Sequence, residues 1–188
     1  MPDDSETHYL KQAAGGATEA FRTLFEAHRE PLFRLAWYLA GSVDAAEDVV
    51  QDCFLRLVRN PGRFDERRGS LRQYLYGMVR NLVRQRWQAA GREVPLDDEP
   101  DHVADEAPDS GPRAEVSDAV RSAIDSLPPL QREAIVLFEF EGLTLEEIAA
   151  LTGCDAGTVK SRLHRARERL RRALAPYGKG VSHESAER

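Results

Sequence analysis

Leu143-Thr144-Leu145-Glu146-Glu147-Ile148-Ala149-Ala150-Leu151-Thr152-Gly153-Cys154-Asp155-Ala156-Gly157-Thr158-Val159-Lys160-Ser161-Arg162-Leu163-His164-Arg165-Ala166-Arg167 reads as two short helices joined by a tight turn. Thr144 is placed to cap the first helix, and Glu147, three residues on, completes a capping box. Gly153 can take the left-handed conformation that ends a helix, and Asp155 can cap the next one. In the second helix Val159, Leu163, Ala166 and Leu170 recur at four-, three- and four-residue steps and share one apolar stripe. At about 100° per residue, Lys160, Ser161, His164 and Arg165 fall opposite that stripe. Their donors suit base edges, and Arg162, Arg167, Arg169, Arg171 and Arg172 flank them as candidates for phosphate. A basic helical face alone is more often just solvated. The capped pair of helices is what points to a recognition helix in a DNA major groove.

Outward from this motif the chain reads as helix nearly throughout. It has 188 residues, 41% of them apolar and 7% aromatic, which allows one or two small domains. Its wealth of Ala, Leu, Arg and Glu favours helix over sheet. Upstream, Val120, Ala123, Ile124 and Leu127 continue an apolar stripe that starts at Val116, and Pro129 suits the first turn of the following helix. Ala134, Ile135, Leu137 and Phe138 supply that helix with a core face.

The first half forms a separate helical block. Ala20, Phe21, Leu24, Phe25, His28, Leu32, Leu35, Ala36 and Leu39 hold a helical period, which Pro31 is expected to kink or split. Val49, Val50, Cys53, Phe54, Leu57 and Val58 repeat the pattern, and Asn60-Pro61-Gly62 breaks it. Ser70 is placed to cap a helix carrying Leu71, Tyr74, Leu75, Met78, Val79, Leu82, Val83 and Trp87. The expected architecture is all-α, with two small helical domains joined by a flexible acidic linker and the second domain a helix-turn-helix. The boundaries read as a frayed N-terminus 1–16, a first domain 17–92, a linker 93–113, a second domain 114–175 and a loose tail 176–188. The linker is expected to hold the two bundles apart.

The net charge of −6 looks wrong for a DNA binder, but the charge is segregated. Arginine dominates 56–86, basic residues dominate 160–179, and carboxylates gather at 93–115. Such a chain can bind a polyanion locally while repelling it as a whole. The segment 64–92 interleaves Arg67, Arg68, Arg72, Arg80, Arg84 and Arg86 with Phe64, Tyr74, Tyr76 and Trp87. Arginine with aromatics suits single-stranded nucleic acid, through charge neutralisation plus stacking. Tyr74 and Trp87 read better as core residues; Phe64 reads as exposed, and Asn81 is placed to reach a base edge. Asp48, Gln51, Asp52 and Leu55 share a second, polar face of their helix and form a candidate partner surface.

Other classes find no support. Cys53 and Cys154 lack metal-ligand spacing and read as small buried apolar residues, so no metal or cofactor is expected. The five His are scattered, with no nucleophile-base pair and no phosphate-cradling glycine loop, so an enzyme acting on a small molecule is not expected. No stretch approaches the roughly 20 apolar residues of a membrane span, and the acidic start does not resemble a signal peptide, so a cytoplasmic protein is expected.

Together these segments resemble the extracytoplasmic-function group of bacterial RNA polymerase sigma factors. Ala45-Ala46-Glu47-Asp48-Val49-Val50-Gln51-Asp52-Cys53-Phe54-Leu55-Arg56-Leu57 resembles that family's polymerase-binding helix, with Asp52 where Glu is commoner. Segments 127–134, 142–149 and 157–167 resemble its second-domain signature closely. The resemblance implies that Asp48, Gln51, Asp52 and Leu55 grip core RNA polymerase. It implies that Phe64, Arg67, Arg72, Asn81 and Arg84 engage the minus-10 element of promoter DNA, with one unstacked base held near Phe64 and Asn81. Thr158, Lys160, Ser161, Arg162, His164 and Arg165 would read the minus-35 element as duplex. The acidic linker would thread a basic polymerase channel, and a separate anti-sigma factor would regulate the protein. The loop 64–70 is richer in arginine than the family pattern, which leaves its base preference open. The competing reading is an independent dimeric helix-turn-helix transcriptional regulator, which would bind a palindromic site without polymerase.

Overall fold

The computed structural model describes residues 4–89, 91 and 114–177. Every regular element among them is helical. The first block contains α1 (Asp4–Ala14), α2 (Thr18–Ala40), α3 (Val43–Arg59) and α4 (Leu71–Ala89). The second contains α5 (Ala114–Asp125), α6 (Pro129–Ile135), a wide π turn (Val136–Phe140), α7 (Leu145–Thr152) and α8 (Ala156–Leu174). The acidic segment 93–113, the residues beyond 177 and the side chain of Val116 lie outside the described residues.

Helix ends follow local chemistry. α2 runs unbroken through Pro31, so no split occurs there, and stops at Gly41, whose φ of 83° is open to glycine at no steric cost. Ser42 Oγ accepts from Ala45 N–H at the start of α3. Ser70 and Gln73 cap α4 reciprocally: Ser70 Oγ accepts from Gln73 N–H, and Gln73 Oε1 accepts from Ser70 N–H.

The N-terminus departs from the frayed segment expected for 1–16. Residues 4–14 form α1, which packs on α2 with Leu10 and Ala13 buried. His28 Nε2, in the core of α2, lies 2.9 Å from Glu6 Oε1, and Thr7 Oγ1 donates to Glu66 Oε2 at 2.7 Å. Gly15-Gly16 and the polar composition suggested a loose end, but one apolar stripe of a single helix is enough to dock it.

The larger correction concerns the two bundles. They are not held apart: α2 and α4 pack against α6, the π turn and α7. Leu39, Val83, Trp87, Pro129 and Leu130 line a shallow hollow along the seam. Arg121 of α5 lies over the Trp37 ring of α2, 3.2 Å from its centroid, and Tyr38 meets Phe140 with ring centroids 5.1 Å apart. A tether permits separation but does not enforce it; complementary surfaces on the two bundles bring them together.

Candidate nucleic-acid interface

The helix-turn-helix is built as its local chemistry requires. Thr144 Oγ1 accepts from Glu147 N–H, while Glu147 Oε2 accepts from Thr144 N–H at 2.8 Å, closing the capping box. Gly153 ends α7 with φ 75°. Asp155 then accepts from Thr158 N–H at 2.8 Å and from Thr158 Oγ1 at 2.7 Å. These bonds hold the Asp155 carboxyl below its ordinary range. Val159, Leu163 and Ala166 are buried, which roots α8 against α6 and α7.

The outward face of α8 carries Lys160, His164 and Arg165, all exposed, with Ser161 half-buried and its hydroxyl donating to Thr158 O. Thr158 is likewise half-buried, with its hydroxyl committed to the cap. Arg162 departs from expectation. It is only 8% exposed, with its guanidinium 3.6 Å from Cys154 Sγ, so here its side chain is part of the α7–α8 packing. Helical phase explains this: position 162 lies four residues before Ala166 and three after Val159, at the edge of the buried stripe, so its stem packs there and its head reaches Cys154. Arg167 binds Glu139 and lies over Phe138.

On the first block, Asp48, Gln51 and Leu55 are exposed on α3 and Asp52 is half-buried. Arg86 of α4 reaches across to Asp48 at 3.3 Å and Asp52 at 3.4 Å. Leu55 and Val43 are exposed apolar residues on this helix. The loop before α4 consists of two short 3-10 turns, Pro61–Arg63 and Glu66–Arg68. Phe64, expected to be exposed, is half-buried with its ring centroid 5.5 Å from that of Tyr74. Arg67 and Asn81 are exposed, and Arg84 lines the seam with Pro129 and Leu130.

Arg72 is exposed, but its guanidinium is already engaged. Its guanidinium donates to the Tyr76 hydroxyl at 2.7 Å and to Glu141 O at 2.8 Å, and it lies 3.3 Å from Glu141 Oε2. Glu141, at the end of the π turn, has a fully enclosed side chain; it also accepts from Arg34 Nε at 2.7 Å and from the Tyr76 hydroxyl. Burial and the Glu141 contact push the Tyr76 hydroxyl well above the ordinary phenol range, so it remains a donor. Sequence reasoning missed Glu141, Arg34 and Glu133, and took Tyr76 only as an aromatic of the arginine-rich segment. The available signal was a carboxylate closing an apolar run, Val136-Leu137-Phe138-Glu139-Phe140-Glu141.

Burial pushes the Cys53 thiol up to about 12, and its Sγ lies 3.9 Å from Leu75 O, so it is chemically quiet. Cys154, expected to be buried, is half-buried beside Thr152 and Arg162. Among the described residues no group of acidic, His or Cys side chains could hold a metal ion, and no helix is long and apolar enough to cross a membrane.

Residues 24–93 match the family model for Sigma-70 region 2, and residues 117–170 match that for Sigma-70, region 4. The chain is 36% identical to the ECF RNA polymerase sigma factor SigE of Mycolicibacterium smegmatis over 86% of its own length and 64% of that protein, so it spans under two thirds of that relative. It is 34% identical to the ECF RNA polymerase sigma factor EcfG of Rhodopseudomonas palustris, covering 81% of this chain and 84% of that one. The fold is similar to the sigma factor RpoE solved in complex with the anti-sigma factor NepR from Bartonella quintana. There the TM-score is 0.66 and the identity 29%, over 84% of this chain and 98% of that chain.

Proposed function

The chain belongs to the extracytoplasmic-function sigma factors of bacterial RNA polymerase, and from that membership we propose that it binds core polymerase and directs it to one class of promoter. The observation that carries the reading is α8: a capped helix rooted in the second bundle, with Lys160, His164 and Arg165 exposed on one face. That face enters the major groove of the minus-35 element, with Thr158 and Ser161 at its N-terminal end. Arg162 supports this face from behind.

In the first bundle, Asp48, Gln51, Asp52 and Leu55 form the grip on core polymerase, an acidic surface with an exposed apolar residue at its C-terminal end. Phe64, Arg67, Asn81 and Arg84, joined by Arg72 when it is released, engage the melted minus-10 strand. Phe64 and Tyr74 supply aromatic faces, and Asn81 supplies an amide for an extruded base. The acidic segment 93–113 fits a basic channel, as a carboxylate-rich strand imitates RNA. Binding to the polymerase places the protein in the cytoplasm and makes it a transcription regulator without catalysis of its own. By analogy with RpoE and NepR, an anti-sigma factor controls it.

Run-off transcription with core polymerase, sequenced at the 5′ ends, tests the proposal. The expected result is initiation at one promoter class that depends on this protein. A tight complex with a palindromic duplex in the absence of polymerase, without specific initiation in its presence, would favour the independent dimeric regulator instead.

A further inference from the structure

Consecutive residues pin α1 on two sides. Glu6 turns into the bundle, where its Oε1 lies 2.9 Å from His28 Nε2 of α2. Thr7 turns toward the loop before α4, where its hydroxyl donates to Glu66 Oε2 at 2.7 Å. Neighbouring helical positions point about 100° apart, so one helix serves both contacts. His28 and Leu10 are buried, so the inner contacts are sheltered and fix the register of α1 on α2. α1 also packs on α3 and on the Pro61–Arg63 turn. It therefore meets both 3-10 turns of the loop.

That loop holds Arg63, Arg67 and Arg68 beside Asp65 and Glu66. Both carboxylates bond to uncharged donors. Asp65 Oδ1 accepts from Arg67 N–H at 3.1 Å, which caps the Glu66–Arg68 turn, and Glu66 accepts from Thr7. Among the described residues neither carboxylate pairs with a guanidinium, and Arg67 and Arg68 stay exposed. A glutamate side chain is long and flexible. Without an anchor, Glu66 would sweep past the two arginines that follow it, where it would pair with one of them or repel a phosphate. A hydroxyl holds the carboxylate without using up a cation.

We propose that Thr7 is a positioning residue for the minus-10 strand: it draws the Glu66 carboxylate back to α1, so that Arg67 and Arg68 meet the phosphates of melted DNA without a competing acid. Thr7 itself does not touch DNA. This rests on the promoter-directing role above. It gives α1 a part in holding the strand, and it explains how a loop with two acids serves a polyanion.

The test uses the full chain assembled with core polymerase. The probe is a short fluorescent single strand carrying the minus-10 element mapped by run-off transcription. Anisotropy titrations at several salt concentrations read the affinity and its salt slope. Thr7→Val removes the hydroxyl and keeps the shape. It should weaken binding about two- to fivefold, the range that an exposed charge contact covers. The salt slope should become shallower by about 0.7, the value of one phosphate contact on a single strand. Thr7→Ser should bind as the unmodified protein does. Glu66→Gln added to Thr7→Val should restore the affinity, because an amide neither forms an ion pair with arginine nor repels phosphate as a charge.

Unchanged affinity in Thr7→Val overturns the proposal. So does a loss that Glu66→Gln fails to restore, since a merely structural tie between α1 and the loop is missing from both proteins. If circular dichroism shows Thr7→Val unfolded, Thr7→Ala, which favours helix, decides alone. The two levels fail differently. A holoenzyme that binds the strand no better than core enzyme alone overturns the promoter-directing role and this proposal with it, whereas a tightly held strand indifferent to Thr7 overturns only the part given to α1.

Discussion

Arg80 Nε lies 2.6 Å from Glu133 Oε1, and this pair joins α4 of the first bundle to α6 of the second with side chains 12% and 8% exposed. Arg80 also donates to Thr152 O at 3.3 Å, so one guanidinium ties α4 to both α6 and α7.

Removing one member of that pair orphans a buried charge. Arg80→Ala should lower stability by about 1–3 kcal/mol, less than the 3–5 kcal/mol of a permanently buried orphan, because the seam can open and hydrate Glu133. The double variant Arg80→Met with Glu133→Leu should recover most of the loss. Thermal unfolding of the three proteins checks this; equal losses in the single and double variants would show that the pair itself contributes little.

The α3 face should separate binding from folding. Asp48 and Asp52 meet Arg86 only through half-exposed contacts, and such pairs are worth about 0–1 kcal/mol. Asp48→Ala with Gln51→Ala should therefore weaken core polymerase binding at least about tenfold while thermal stability stays within about 1 kcal/mol. A pull-down titration beside a melting curve reads both. A large fall in melting temperature would assign these residues to the fold.

Neighbouring basic residues on α8 should behave differently. Arg165→Ala should cost about 1–3 kcal/mol at one minus-35 base pair and leave the melting temperature unchanged. Lys160→Ala should weaken binding to all sequences alike if it meets phosphate, and reduce the salt slope by about 1. Arg162→Ala should instead lower the melting temperature, since its stem and head are packed between α7 and α8. Anisotropy titrations on a set of minus-35 duplexes, read against melting curves, separate the three.

Acid should loosen the start of α8. The folded Asp155 carboxyl titrates below its ordinary value of 3.8 because it accepts from Thr158. A depressed carboxyl contributes its stability above the unfolded value and loses it as pH falls through the folded one. Asp155→Asn should therefore flatten the fall in stability below about pH 4, while its stability near neutrality drops slightly or not at all. Thermal melts from pH 2 to 7 check this; parallel curves for the two proteins would refute it.

Much of the candidate interface was legible in the chain because it is local. Thr144 with Glu147, Gly153, and Asp155 with Thr158 each act across one to three residues, and their roles follow from residue type and spacing. The exposed face of Lys160, His164 and Arg165 follows from helical period. Phase was less secure at the edge of the stripe, where Arg162 turned inward, and it gave no guide in the loop, where Phe64 lies against Tyr74. α1 was missed because a short apolar stripe in polar surroundings gives little signal until its partner α2 is known.

By itself the sequence determined an all-helical protein, the caps that start and stop the helices, and a basic helix after a tight turn. These are decided within a few residues by hydrogen-bond geometry and side-chain period. Only the tertiary structure decided that the bundles close on each other and that Arg72 and Arg80 are already occupied. Those contacts join residues 69 and 53 positions apart, and Arg34 meets Glu141 across 107. No local rule fixes pairings at such range; they depend on shape and charge complementarity between surfaces that exist only after each bundle has folded.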